Sequence, residues 1–237
     1  MPETRSHQSF RQRIEYLHTH LSVMDASVKT ALSAIHSNSE ASTINDALAV
    51  EKHYTRLNHP TTESYRIFNY SKSTLHKNAL VELHSIFSNY LKCSLREVLD
   101  TRPYAVLMLS DNEFSIKYRD IFNFSTLEKL YDHILDVFFK GLESQRSTKK
   151  MLQRIISKFN INAHQELSEA LPFFELRHLI VHNKGEIDST FARNYGEFFS
   201  VQEGDKVPSN YQNTHKAIVS IQALTKAVDE GLQNYMK

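Results

Sequence analysis

Between Leu171 and Phe191 the chain reads LPFFELRHLIVHNKGEIDSTF, with Arg177, His178 and His182 set inside or at the end of an apolar run. An arginine carries a permanent charge and can grip a phosphate with two parallel hydrogen bonds. A histidine exchanges protons near neutral pH. Together they supply what cleavage of an RNA phosphodiester by its own 2′-hydroxyl requires, a chemistry that needs no metal. The structural alternative is an arginine held in an ion pair and a histidine that caps the helix end, where the dipole favours positive charge. Arg177 and His182 stand five positions apart, roughly 140° around an ideal helix. They converge on one ligand only if the helix end unwinds or a second copy supplies the same motif.

Two further patterns bear on chemistry. His178 and His182 are four apart on one helix face, the spacing of a metal-binding pair, with Glu175 as a third candidate ligand. The general-base Glu that zinc peptidases place between such histidines is missing. Farther upstream, Arg146, Lys149, Lys150, Arg154 and Lys158 form a basic run with no acid between Glu143 and Glu166. Lys150, Arg154 and Lys158 make one stripe at four-residue spacing. Such a stripe is either a solvated face or a track for an RNA backbone, and in the second case binding falls steeply with salt.

The elements that must position these residues read as helices. Phe10, Ile14, Leu17, Leu21, Met24, Val28, Leu32 and Ile35 recur every three or four residues and predict a first helix from about Ser9 to His36. A weaker one through Ile44, Ala47, Leu48 and Tyr54 is predicted to end at Asn58-His59-Pro60. A strongly periodic helix runs from Tyr70 to Asp100, and residues 104–120 stay unclassified. Ser125-Thr126-Leu127-Glu128 has the form of a capping box that opens a helix up to Gly141. Ser147 is the expected cap of the next helix, with Leu152, Ile155, Ile156 and Phe159 on its apolar side, and Asn160 to Asn162 form a turn. The helix that carries Arg177 is expected to kink or break at Pro172. It should stop at Asn183-Lys184-Gly185, where Gly can adopt a left-handed conformation. Lys184 to Asn210 reads as irregular, and a last helix begins near Tyr211.

Arg177-His178-Leu179-Ile180-Val181-His182 resembles the motif of the HEPN superfamily (higher eukaryotes and prokaryotes nucleotide-binding domains): Arg, a polar residue, three mostly apolar residues, His. The run Asn183-Lys184-Gly185-Glu186-Ile187-Asp188 is similar to the segment after the His in that family, and the resemblance covers mainly residues 70–195. It implies an all-α helical bundle, residues 61–237; residues 1–60 read either as an added helical arm or hairpin or as part of the same domain. It further implies a metal-independent endoribonuclease in a toxin or antiphage-defence setting, acting as a homodimer with a composite site and needing no cofactor. Arg177 would then stabilise the charged phosphorane and His182 would be the general acid/base. His178 stands where Asn or Asp is common, so it either orients the site or marks altered activity. RNA contacts would fall to Lys150, Arg154, Lys158 and Lys184, and an antitoxin or defence-system protein is an expected partner. Lys184 occupies the position where one antitoxin-paired subset has Tyr, which argues against that form of regulation. The alternative implied by the same resemblance is a catalytically silent module that binds nucleotides, RNA or protein.

Composition narrows the field. Among 237 residues, 41% are hydrophobic and 23% charged, which is globular and long enough for a substantial core. Only five Gly and five Pro occur, in keeping with an all-α chain. Lys and Arg number 28 against 27 acids, so nucleic-acid contact must come from a local patch and not from overall charge. Glycine-rich phosphate loops, cysteine clusters of zinc spacing and the Gly-x-Ser-x-Gly elbow are all missing. The one cysteine, Cys93, reads as a core residue in a reducing compartment. With no apolar stretch of membrane-spanning length and no signal-like start, a cytoplasmic protein without a membrane partner is expected.

Overall fold

The periodic stripes of the sequence become helices because each presents an apolar side that water excludes. A computed structural model of the protein describes residues 3–51, 53–105, 121–122, 124–144 and 148–237. Among these the regular structure is all helical: α1 (Arg5–Ser37), α2 (Ile44–Leu48), α3 (Ser64–Thr101), α4 (Leu127–Ser144), α5 (Thr148–Lys158), α6 (His164–His182), α7 (Ser189–Phe199) and α8 (Tyr211–Met236). Extended backbone is limited, among the described residues, to the isolated bridges Thr43–Pro60 and Glu186–Lys206. No helix among them is long and apolar enough to cross a membrane. Arg146, Ser147 and residues 106–120 of the unclassified stretch 104–120 lie outside the described residues.

The chain forms two compact units that do not follow its linear order. The first comprises residues 1–14, 83–178 and 217–237, and the second residues 15–82 and 179–216. Helices α1, α3, α6 and α8 each contribute residues to both.

In the first unit, Phe87, Tyr90, Leu91, Leu95 and Leu99 form the buried stripe of α3, and Leu224, Val228 and Leu232 that of α8. Phe87 packs on Phe174 of α6 with ring centres 5.0 Å apart, and Tyr90 on Phe10 of α1 at 5.5 Å. The Tyr90 hydroxyl donates to the Thr225 carbonyl at 3.2 Å, which satisfies the polar end of a ring that is otherwise sealed in the core. Buried Asp229 accepts from the hydroxyl of Thr4 and from Gln233 at 2.7 Å. Arg96 ties α3 to α4: it donates to the Glu128 carbonyl at 2.6 Å and to Asp132 at 3.2 Å, and lies over the Tyr131 ring.

In the second unit, Ile35, Ile44 and Ala47 form a small core against Leu48, Leu57, Ile67 and Phe68. The β-bridge residues Glu186 and Lys206 also pair through their side chains at 2.6 Å, and Ile187 exchanges backbone hydrogen bonds with Asp205 and Gly204.

Several expectations are corrected. Helix α2 spans only five residues, because Ala49 turns left-handed and its amide closes back on Asp46; Tyr54 lies beyond it. The cap of α4 falls on Thr126, whose hydroxyl accepts from the Lys129 amide at 3.4 Å, one position later than a Ser125 box requires, and the helix passes Gly141. Pro172 does not break α6, which is continuous through it. Its neighbours Leu171, Phe173 and Phe174 are all buried, and packing of this kind outweighs the one hydrogen bond a proline removes. The span from Lys184 to Asn210 contains a helix, α7, capped by Asp188 Oδ1 on the Phe191 amide at 2.7 Å. Cys93 is exposed and not core: it lies two residues from both Leu91 and Leu95, roughly 200° around the helix from that buried stripe.

The turn after α5 takes the expected form. Asn160 is left-handed at φ 50°, and the Ile161 and Asn160 amides close back on Ile156 and Ser157 at 2.8 and 3.3 Å. After α6 both Lys184 (φ 54°) and Gly185 (φ 69°) are left-handed. The Leu179 carbonyl accepts from the amides of Asn183 and Gly185, each at 3.0 Å.

Candidate functional site

Helix α6 buries residues on nearly every side over its middle turns, including Ala170, Phe173, Phe174 and Leu176. Its final turn then emerges, with Val181 and His182 exposed, as is Asn183 just beyond it. The change from buried to exposed falls across the motif. Arg177 and His178 are half-buried and belong to the first compact unit, whereas Leu179 opens the segment of the second unit that carries His182. Leu179 is buried, while Ile180 is only half-buried.

Arg177 leaves part of its donor set unused. Its Nε is buried and has no hydrogen-bond partner. An unmet buried donor is costly, more so on a charged group, and an acceptor brought by a ligand relieves it. The charge of Arg177 acts on His84 of α3. Burial first, and the Arg177 charge second, push the His84 pKa down from 6.5 to about 4, so this imidazole is neutral at pH 7. The His84 ring meets the edge of Phe174 at 5.7 Å, and Ser88 Oγ lies 3.4 Å from its Nδ1. The spare guanidinium donor, within electrostatic reach of an imidazole kept neutral, can donate to the oxygen of an anion.

His84 is absent from the expectations drawn from sequence, though a signal for it existed. The stripe Leu80, Leu83, Phe87, Leu91 passes directly over it, so a polar residue on the buried side of α3 was legible. Its partner was not, because Arg177 lies far away in sequence.

The other candidates are placed along α5 and at the end of α6. Lys150 and Lys158 are exposed and Arg154 is half-buried along α5, opposite Met151, Leu152, Ile155 and Ile156, so the helix is amphipathic as expected. Lys184 is exposed in the turn after α6. The Asn183 side chain donates to the Glu186 carbonyl at 2.8 Å, which closes that turn and fixes the end of the motif helix. Among the described residues no group of three or more His, Cys, Asp or Glu side chains is placed to hold a metal ion, so the set His178, His182 and Glu175 is not assembled. No family model matches the sequence, and no curated protein or solved structure shows significant similarity to it.

Proposed function

We propose that the chain is a metal-independent endoribonuclease of the HEPN type, active as a homodimer in which each copy supplies one motif. Arg177 stabilises the charge that builds on the phosphorane. His182 is the general acid/base: it takes the proton from the 2′-hydroxyl as that oxygen attacks phosphorus, and the partner's equivalent histidine protonates the departing 5′-oxygen. The products are a 2′,3′-cyclic phosphate and a 5′-hydroxyl. His178, from the same turn as Arg177, orients the phosphate. Lys150, Arg154, Lys158 and Lys184 hold the RNA backbone, and a toxin or antiphage-defence setting with a partner protein fits an enzyme of this kind.

The observation that carries the reading is Arg177 itself, an arginine on a deeply buried helix with an unused donor and a neutral His84 beside it. The exposure of His182 at the end of that helix supports it, since a general acid/base must reach its substrate.

Incubation of purified protein with mixed RNA in excess chelator tests the reading. Cleavage that leaves cyclic phosphate ends and disappears in both Arg177→Ala and His182→Ala is the expected result. Removing either should lower the rate by about 100-fold or more. Absence of cleavage by a folded dimer across varied RNAs would reduce the protein to a silent binding module, and activity abolished by chelator would make it a metal enzyme. In the same material, charge reversal at Lys150 and Lys158 should weaken RNA binding and flatten its salt dependence; unchanged affinity removes α5 from the interface.

A further inference from the structure

The second compact unit contains a different unmet polar group. His76 of α3 is 1% exposed, and both of its ring nitrogens are buried without a hydrogen-bond partner. A neutral imidazole has one donor and one acceptor, and leaving both unmet in the interior is unfavourable. His76 lines a cavity of about 480 Å³ together with Lys72 and Ser73 from its own helix and Ser209, Asn210 and Tyr211 from the start of α8.

The rest of the lining is rich in donors. Residues 72, 73 and 76 fall at the spacing of one helix face. Ser73 Oγ and Ser209 Oγ are 2.7 Å apart, which joins the two elements at the cavity wall. Helix α8 is 26 residues long and begins at this cavity. Its cap, Asn210 Oδ1, accepts from the Asn213 amide at 2.9 Å. The amides of Tyr211 and Gln212, one and two positions into the helix, have no intrahelical acceptor, and the dipole adds partial positive charge there. Lys72 brings a full charge. It shares Asp25 of α1 with Lys29, at 2.6 and 2.8 Å, so two cations meet one carboxylate and a net positive charge remains. Those three residues and Tyr211 line a second cavity of about 440 Å³.

We propose that the cavity at His76 is a binding site for the phosphate group of a small phosphate monoester, held by Lys72, the one hydroxyl proton that the Ser73–Ser209 pair leaves free, the first amides of α8 and the ring of His76. The acceptor oxygens of a phosphate suit a lining that offers several donors and one cation. The ring of His76 gives the bound group its specificity. Burial, and after it the Lys72 charge, lower the His76 pKa, with Asp25 opposing, so the ring presents one N–H and one lone pair. It therefore donates to a phosphate oxygen, or accepts from a phosphate that keeps one proton. The proposed site uses none of the motif residues of α6 and does not depend on the ribonuclease reading.

Histidine-selective NMR of the full chain, titrated with inorganic phosphate and with phenyl phosphate, tests the proposal. The His76 resonance should move saturably with phenyl phosphate, and both ligands should raise the thermal midpoint. Lys72→Met should weaken binding by about tenfold through loss of the charge-assisted contact. His76→Phe keeps the volume, removes the unmet nitrogens and should abolish the shift in midpoint; should it fail to fold, the Lys72→Met comparison still decides. A histidine with only a structural role predicts a more stable His76→Phe protein and no ligand effect in any variant. The proposal is overturned by a His76 resonance indifferent to both phosphates, by equal affinity in wild type and Lys72→Met, or by sulfate binding as tightly as phenyl phosphate.

Discussion

Replacing His84 with Leu should make the protein less sensitive to acid. The folded protein holds the His84 pKa at about 4 against an ordinary 6.5. As pH falls, the unfolded chain takes up the proton first. The stabilisation that comes from a neutral, half-buried His84 is thus complete above pH 6.5 and is lost towards pH 4. Across that whole window the loss approaches about 3 kcal/mol, and between pH 7 and pH 5 it is about 2 kcal/mol. Leu fits the apolar side of the site against Phe174 and carries no proton, so urea unfolding of His84→Leu should lack this component. The change in unfolding free energy between pH 7 and pH 5 should be about 2 kcal/mol smaller in the variant than in wild type. Differencing the two proteins cancels the other histidines, His76 included. A direct NMR titration of His84 gives the same quantity, and Arg177→Met should raise its pKa only partway, because burial is the larger cause. Equal pH dependence in wild type and His84→Leu, or a His84 pKa near 6.5, would refute both the burial of this ring and its proximity to Arg177.

Two further predictions concern packing that the sequence does not display. A Cβ at Gly231 on α8 would come within 2.7 Å of both Ile161 Cγ atoms and 3.0 Å of its Cβ. Gly231→Ala should therefore destabilise by about 1–3 kcal/mol despite the gain in helix propensity, and Ile161→Ala in the same chain should recover part of that loss in denaturant unfolding; a stabilised single variant would contradict the close approach. Thr4→Val removes a donor from the buried carboxylate of Asp229 while keeping the shape. It should cost about 1.5–3 kcal/mol in the same assay, and an unchanged midpoint would place Asp229 in contact with water.

How much of this was legible varies from element to element. The bounds of α1 and α8 follow closely from their apolar spacing, because three or four buried residues per two turns leave a periodic trace. Helix α7 left a fainter one. Phe191, Tyr195 and Phe199 recur at four-residue intervals, but Gly196 reads as a breaker. Its reason is tertiary: the Val201 carbonyl would stand 2.8 Å from a Cβ at that position, so only glycine admits the returning chain. Pro172 misleads in the opposite sense, since the apolar surroundings that keep α6 whole around it come from other helices. Cys93 shows that an apolar residue type does not settle a helical face unless its phase is measured against the stripe.

At the candidate sites the division follows the same physics. The sequence by itself determined that the regular structure of the described residues is helical and that Arg177, His178 and His182 share one helix end. It also set a basic stripe along α5 opposite an apolar face. These are properties of spacing within a single element, and local geometry suffices to read them. Only the tertiary structure decided that Arg177 keeps an unused donor beside a neutral His84, and that His76 is buried with both nitrogens unmet near the start of α8. Each of these depends on segments distant along the chain, and the cost of burying a polar group is set by whichever neighbours the fold brings to it. The division of one chain into two interleaved units is decided in the same way, by contacts and not by order.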